Sequence, residues 1–445
     1  MQINIIGTIQ AKQLKSLCIK SKDGMFKIIL PFFLFCCQLA YGQIEEVRRI
    51  TQTLCSPAFH GRGYVNKGDS IAAEFIVSEF KKIGLKPLKK SHFQSFSLDV
   101  NTFPDQMSIE MGKKSLIPGV HFLVDPGSAS FNGVLTPKRI PVSIALDETK
   151  LTQELMDILK VGKYNSVAFD FTHLSADTLK KLAGLTETIA GILPVIEVMD
   201  RKFTWSVASE QLKFPLIQIQ SNTFNFDENL AVDIDAKLIQ NYTSRNVFGY
   251  LPGKKKCGKT VVYSAHYDHL GRMGTETYFP GGNDNASGTA MLISMAKYFK
   301  ENPVDYNILF IAFAGEEAGL VGSHYFVEHP LIKLDKIEFL LNLDIMGSGE
   351  EGITVVNATL FEKEFKELQK INEEKQLLTV VKARGPAANS DHYWFTQKGV
   401  PAFFIYTMGP NKNYHDVNDT YENLSFVEYT DITSLLLEFT KRLGK

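Results

Sequence analysis

Hydrophobic and polar positions follow three rhythms along the chain. From Gln43 to Leu54 and from Asp69 to Lys82, apolar residues recur at helical spacing, and Gly84 with Pro87 beyond it closes the second helix. Between 96 and 240 the rhythm turns to short β-rich runs at Phe96–Val100, Val142–Leu146, Ser166–Phe171, Leu193–Val198 and Pro215–Ile219. One helical stretch, Thr149–Leu159, interrupts them. From Asn246 onward, near-continuous apolar runs take over at Val261–Ala265, Ile308–Phe313, Phe339–Leu343 and Ala402–Tyr406. Unbroken runs suit strands buried on both faces, the mark of a mainly parallel sheet. Helices are expected between them at Ala286–Phe299, Gly319–Glu328, Leu360–Asn372 and Asp391–Lys398, with a last amphipathic helix at Phe426–Leu443. The pattern predicts an α/β fold, a three-layer α/β/α domain on a mostly parallel central sheet, with an inserted α+β module.

The expected division is a leader at 1–42, an N-terminal helical part at 43–95, an insert at 96–240 and a main α/β domain at 241–445. Within the leader, Met25–Gly42 has one lysine, an apolar run from Ile28 to Cys37, and small residues at Ala40 and Gly42. That order suits a secretory signal cleaved before Gln43, with Met25 where its initiator would stand. The run is too short to span a bilayer. Phe33-Leu34-Phe35 lacks the small residues of a lipid-anchor site. The expectation is an exported protein, periplasmic or secreted, without a membrane span after cleavage. Past the signal only Cys55 and Cys257 remain, and an oxidising compartment could join them. A formal net charge of −1 implies no basic face, so no nucleic-acid partner is expected.

Polar chemistry gathers just past the strand ends. His266 and Asp268 follow the first run, Glu316 and Glu317 the second, and Asp344 the third. Ligands of open α/β sheets bind at the carboxyl ends of strands, so these groups are expected on one rim. Imidazole with carboxylate suits zinc. Singly, each residue has a plainer reading: Asp284 and Ser287 as helix caps, Glu316 and Glu317 as acids at a helix start.

Five segments in order carry more weight: Ala265-His-Tyr-Asp-His-Leu-Gly271, Gly281-Gly-Asn-Asp-Asn-Ala-Ser-Gly288, Ala314-Gly-Glu-Glu-Ala-Gly319, Leu341-Asn-Leu-Asp-Ile-Met-Gly347 and Asn413-Tyr-His-Asp-Val-Asn-Asp-Thr420. Together they resemble the co-catalytic zinc aminopeptidases, which include bacterial leucyl aminopeptidases and yeast aminopeptidase Y. Phe59-His-Gly-Arg-Gly63 resembles the family's lead-in. The insert stands where many relatives carry a protease-associated domain.

The resemblance implies two Zn²⁺ ions, with His266 and Asp344 on the first, Glu317 and His415 on the second, and Asp284 bridging both. It implies a water shared by the two ions and Glu316 as its general base, with Asp268 orienting His266. Asp284-Asn285 matches a spot where relatives carry a cis peptide. Tyr406 is a candidate oxyanion donor, and Asp391 and His392 are candidates for either pocket lining or helix capping. His269, His324 and His329 match no ligand position and are assigned surface or packing roles. The implied activity is release of N-terminal residues from peptide substrates. Rival readings are a glutaminyl-cyclase-like acyltransferase, a carboxypeptidase or dipeptidase on the same fold, and a non-catalytic receptor-like binding protein. One departure concerns substrate choice: the family's Gly-x-His before the last ligand is replaced by Met408-Gly-Pro-Asn-Lys-Asn-Tyr-His415. Gly253-Lys-Lys-Lys-Cys-Gly-Lys-Thr260 matches a phosphate-binding loop literally, but a strand is expected after it where that motif needs a helix.

Overall fold

An eight-stranded sheet organises the chain, as seen in a computed structural model that describes residues 44–255 and 258–443. Its strands are β1 (Phe93–Thr102), β2 (Lys237–Leu251), β3 (Thr260–His266), β4 (Asn307–Phe313), β5 (Ile337–Leu343), β6 (Gly352–Val356), β7 (Val381–Ala383) and β8 (Ala402–Met408). The spatial order is β1-β2-β4-β3-β5-β8-β6-β7. The four central strands β4, β3, β5 and β8 run parallel. β1, β2 and β6 join antiparallel. The apolar runs read from the sequence are these central strands, and every residue of β3 is buried.

Period-two alternation sorts their side chains onto two faces. On one face Phe248, Val262, Leu309, Ile311 and Phe313 pack with Phe326 of α3 (Val321–Glu328) and Phe395 of α5 (His392–Gln397). The other face meets four helices, α1 (Gly68–Ile83), α2 (Gly288–Glu301), α4 (Glu362–Lys375) and α6 (Tyr429–Arg442), through ring pairs. These are Phe80 on Phe310, Phe299 on Tyr263, Phe365 on Phe403 and Phe439 on Phe339. The α6 stripe follows helical spacing, with Ile432, Leu435, Leu436 and Phe439 buried. The result is the α/β/α sandwich expected from the sequence.

The insert leaves and returns through one point of the sheet. Thr102, the last residue of β1, pairs directly with Lys237, the first of β2. Phe96–Val100, expected among the insert's strands, lies in β1 and pairs with the main sheet. The intervening chain builds a five-stranded sheet, in the order 122–124, 216–220, 195–199, 166–170 and 137–140, with its last four strands parallel. A four-stranded antiparallel sheet lies beside it. Val142–Leu146 was expected as a strand but is a short helix, Val142–Ala145. Pro141 explains this: its fixed φ starts a helical turn, and it has no N–H to give a ladder. Glu148–Val161 is helical as expected, capped by Asp147 accepting from the Lys150 amide.

Glu46–Lys445 forms one compact unit. Of the residues before it only 44–45 are described, as helix. The signal read at Met25–Gly42 therefore lies outside the described residues, as does Cys257, while Cys55 is buried as a free thiol. Among the described residues, no helix is long and apolar enough to cross a membrane.

Candidate metal centre

Parallel neighbours place their carboxyl ends on one rim, and the polar residues gather there. His266 is the last residue of β3. Glu316 and Glu317 follow β4, Asp344 follows β5, and His415 lies beyond β8. The 282–287 turn before α2 brings Asp284 to the same place, with a cis Asp284–Asn285 peptide. Neither Asp284 nor Ser287 caps α2: the Ser287 hydroxyl donates to the Asn283 carbonyl, and the first amide of the helix, that of Gly288, is met by the Asn285 side-chain oxygen. The first turn of α3 holds no acid, so Glu316 and Glu317 are not helix-start residues.

The distances define a tight cluster. Asp284 sets one carboxylate oxygen 3.1 Å from His266 Nε2 and the other 3.0 Å from His415 Nε2. Asp344 Oδ1 lies 3.4 Å from His266 Nε2, and Glu317 Oε2 lies 3.1 Å from His415 Nε2. His266, Glu316 and Asp344 form one set with metal-ligand spacing, and His266, Asp284 and Glu317 another.

Surrounding groups fix which atoms face inward. His266 Nδ1 lies 3.2 Å from the Asp268 carbonyl, and His415 Nδ1 lies 2.8 Å from the Trp205 carbonyl. A carbonyl only accepts, so each Nδ1 carries its proton outward and each neutral ring turns a bare Nε2 inward. Asp344 Oδ2 accepts from Ser390, which accepts from Asn342, which in turn accepts from Ser264. Its Oδ1 is buried with no hydrogen-bond partner. Acceptors thus face acceptors in a buried space, an arrangement that needs a cation between them. Nitrogen and carboxylate donors in such sets fit zinc.

Titration behaviour follows from the same crowding. Burial opposes charge on His415, yet Glu317 and Asp284 outweigh it and push its pKa up to about 11 when Nε2 holds no ion, so that a proton takes the place a cation would fill. Burial also opposes charge on Glu317, but His415 and His269 bring its pKa down to about 2. Glu316 goes the other way: burial raises its pKa, and of its charged neighbours His266 opposes the rise while Glu317, Asp391 and Asp344 add to it.

Several supporting residues depart from the sequence reading or escape it. The Asp268 carboxylate lies 3.8 Å from His266 Nδ1, and it accepts from the amides of Glu316 and Glu317 and from the Tyr64 hydroxyl. His269, assigned a surface or packing role, is fully buried with Nδ1 2.6 Å from Glu317 Oε1. Arg62, in the lead-in segment, is fully buried and donates to the carbonyls of Leu54, Tyr267, Pro280, Gly281 and Asp284. The glycines beside it permit this approach, since a Cβ on Gly61 would stand 2.4 Å from the Gly271 carbonyl oxygen. Asp419 accepts from the amides of Asn283 and Asp284. His324 and His329 keep surface roles beside Glu328 and Tyr325. Tyr406 lines the cleft over the cluster, while His392 lines a neighbouring one and Asp391 is buried behind it. The phosphate-loop look-alike runs straight into β3, as a turn between strands would.

Known proteins share this architecture. Residues 246–440 match the model of peptidase family M28. Aminopeptidase YwaD of Bacillus subtilis is 33% identical over 204 residues, which is 42% of this chain and 42% of that protein. The match thus spans less than half the length of that relative. A zinc aminopeptidase structure from Bacillus subtilis superposes with a TM-score of 0.65 at 20% identity, covering 88% of this chain and 94% of the other. A peptidase M28 precursor from Shewanella amazonensis gives 0.63 at 14% identity, covering 91% and 96%. These structural likenesses establish a common fold. The strand ends and loops that carry His266, Asp284, Glu316, Glu317, Asp344 and His415 all fall within residues 246–440, the stretch that is similar to peptidase family M28.

Proposed function

We propose that the chain is an exported zinc aminopeptidase that hydrolyses the N-terminal bond of peptides. The observation that carries this reading is Asp284, whose two oxygens stand 3.1 and 3.0 Å from the inward nitrogens of two different histidines. One carboxylate between two imidazoles supports two adjacent ions. His266, Asp284 and Asp344 would hold one zinc; Asp284, Glu317 and His415 would hold the other. Zinc, when bound, supplies Lewis-acid polarisation of a carbonyl and acidifies water.

The chain's own groups do the rest. Glu316 is next to the ligand Glu317 and faces the same space as His266 and Asp344. It takes a proton from the attacking water and delivers it to the leaving amine. Asp268 holds the backbone of both glutamates through two amides, so base and ligand keep a fixed separation. Burial of His266 and Asp284 keeps bulk water from screening the cluster.

The relative named an aminopeptidase supports the reaction, and the Met25–Gly42 pattern supports export. The same reading divides the chain into a leader at 1–42, a peptidase domain in two parts and an insert between them, whose expected limits of 96 and 240 move to 103 and 236 because Phe93–Thr102 and Lys237–Leu251 are strands of the main sheet. Turnover of a peptide panel with free and blocked N-termini tests it, using wild type and Glu316→Gln. The substitution should lower kcat about 10²–10⁴-fold. Equal turnover by the variant would remove Glu316 as the base, and cleavage of N-blocked peptides would remove the aminopeptidase assignment.

A further inference from the structure

The cleft over the metal centre has a volume of about 250 Å³ and is lined by His266, Asp284, Glu316 and Asp344 on its floor side. It falls below the roughly 300–1,000 Å³ of a drug-sized ligand site, so it encloses only the one or two substrate residues nearest the cluster. Aromatic rings, Phe404, Tyr406 and Tyr414, supply apolar wall. One wall residue stands apart in chemistry. Arg384, just past β7, brings a guanidinium into a cleft whose other charged groups are acids and the ligand histidine.

Arg384 is held for this position and left available. Its Nη1 donates to the Tyr406 hydroxyl at 3.2 Å, and its Cζ lies 6.0 Å from the Tyr406 ring centroid. Among the described residues no carboxylate forms an ion pair with it, although three carboxylates line the same cleft. The remaining N–H groups of the fork are therefore open to a ligand. A planar fork tethered to a tyrosine hydroxyl fits a carboxylate with two parallel hydrogen bonds.

Resting on the aminopeptidase reading, we propose that Arg384 is the specificity residue of this cleft, and that the preferred substrates present a carboxylate to it. That carboxylate is either the side chain of an N-terminal acidic residue or the free C-terminus of a di- or tripeptide. Both sources offer the same group at the reach of a cleft this small. The acids on the floor serve the metal and the substrate's amino end, and Arg384 receives the negative end.

The test compares kcat/KM for the zinc-loaded full chain on matched pairs. Glu-p-nitroanilide against Gln-p-nitroanilide isolates the side chain, and Leu-Leu against Leu-Leu-amide isolates the C-terminus. Wild type should favour the acid in at least one pair by about tenfold or more. The ratio should fall to near one in Arg384→Gln and invert in Arg384→Glu, and the pair that responds identifies the source. Turnover of neutral substrates with a ratio near one in both pairs overturns this proposal and leaves the aminopeptidase reading standing. So does a preference that both variants retain. Failure to cleave any substrate overturns the aminopeptidase reading, and this proposal with it.

Discussion

His415 Nδ1 stands 2.8 Å from the carbonyl oxygen of Trp205, and the Trp205 amide donates to the His415 carbonyl at 2.9 Å. This reciprocal pair joins the insert to the loop that carries a proposed zinc ligand. His415 has a positive φ of 52°, so its backbone is held by its surroundings. Trp205 is anchored in turn by its indole N–H on the Val124 carbonyl and by stacking on Phe279 at 4.5 Å. Lys202 adds a second grip, with Nζ on the carbonyls of Lys412 and Tyr414 and an ion pair to buried Asp416.

The insert is therefore expected to stabilise metal binding at His415. Lys202→Met removes the second grip while leaving the Trp205 carbonyl in place. Zinc at this position should be lost to a chelator about tenfold faster or more, in line with the usual cost of removing a group that orients a ligand. Trp205→Ala should cost about 3–5 kcal/mol of stability through the cavity it leaves. Stopped-flow release of zinc to a colorimetric chelator checks the first, and denaturant midpoints the second.

His269 is expected to tune Glu317. Its 2.6 Å contact leaves the other Glu317 oxygen to face His415. His269→Phe fills the space but removes the hydrogen bond. Zinc affinity at the Glu317 position should fall about 10–100-fold, read by competition with a chelator of known affinity. Unchanged affinity would return His269 to a packing role.

Arg62 carries the largest structural prediction. One buried guanidinium serves five carbonyls drawn from three separate segments, including that of Asp284. Arg62→Met strands these acceptors in a buried space, and about 3–5 kcal/mol of stability should be lost. Arg62→Lys should recover only part of it, because an ammonium cannot reproduce the fork. Chemical denaturation of the three proteins orders them directly.

These supporting residues explain why the proposed ligands were more legible in the sequence than their surroundings. The strand runs around Ile308–Phe313 and Phe339–Leu343 announce themselves by unbroken hydrophobicity, and polar residues at their ends stand out against it. Two short strands, β6 and β7, offer only five and three residues and no comparable contrast. Arg62, His269 and Trp205 act on groups 222, 48 and 210 positions away, and no local pattern encodes such pairings. Val142–Leu146 misled for the opposite reason: its composition suits a strand, and the proline before it decided for a helix.

The insert also contains a group whose charge works against folding at neutral pH. Asp125 sits in the turn before Ser128, where it accepts from the Gly127 amide at 2.8 Å. Burial raises its pKa from 3.8 to about 6; the Gly127 bond opposes that shift, and Glu187 and Glu197 add to it. A folded-state pKa above the unfolded value means that the native state binds the extra proton. The associated stabilisation is complete below about pH 3.8 and is lost as pH rises through about 6. Asp125→Asn keeps an acceptor for Gly127 and removes the charge. The variant should gain little near pH 4 and gain most by pH 8, with an upper bound on the order of 3 kcal/mol for a shift of this size. Thermal unfolding of both proteins from pH 4 to 8 measures it: the difference in Tm should widen with pH and level off above about 7. A constant difference across that range would mean that the carboxylate is solvated in the folded chain and that the substitution acts through packing alone.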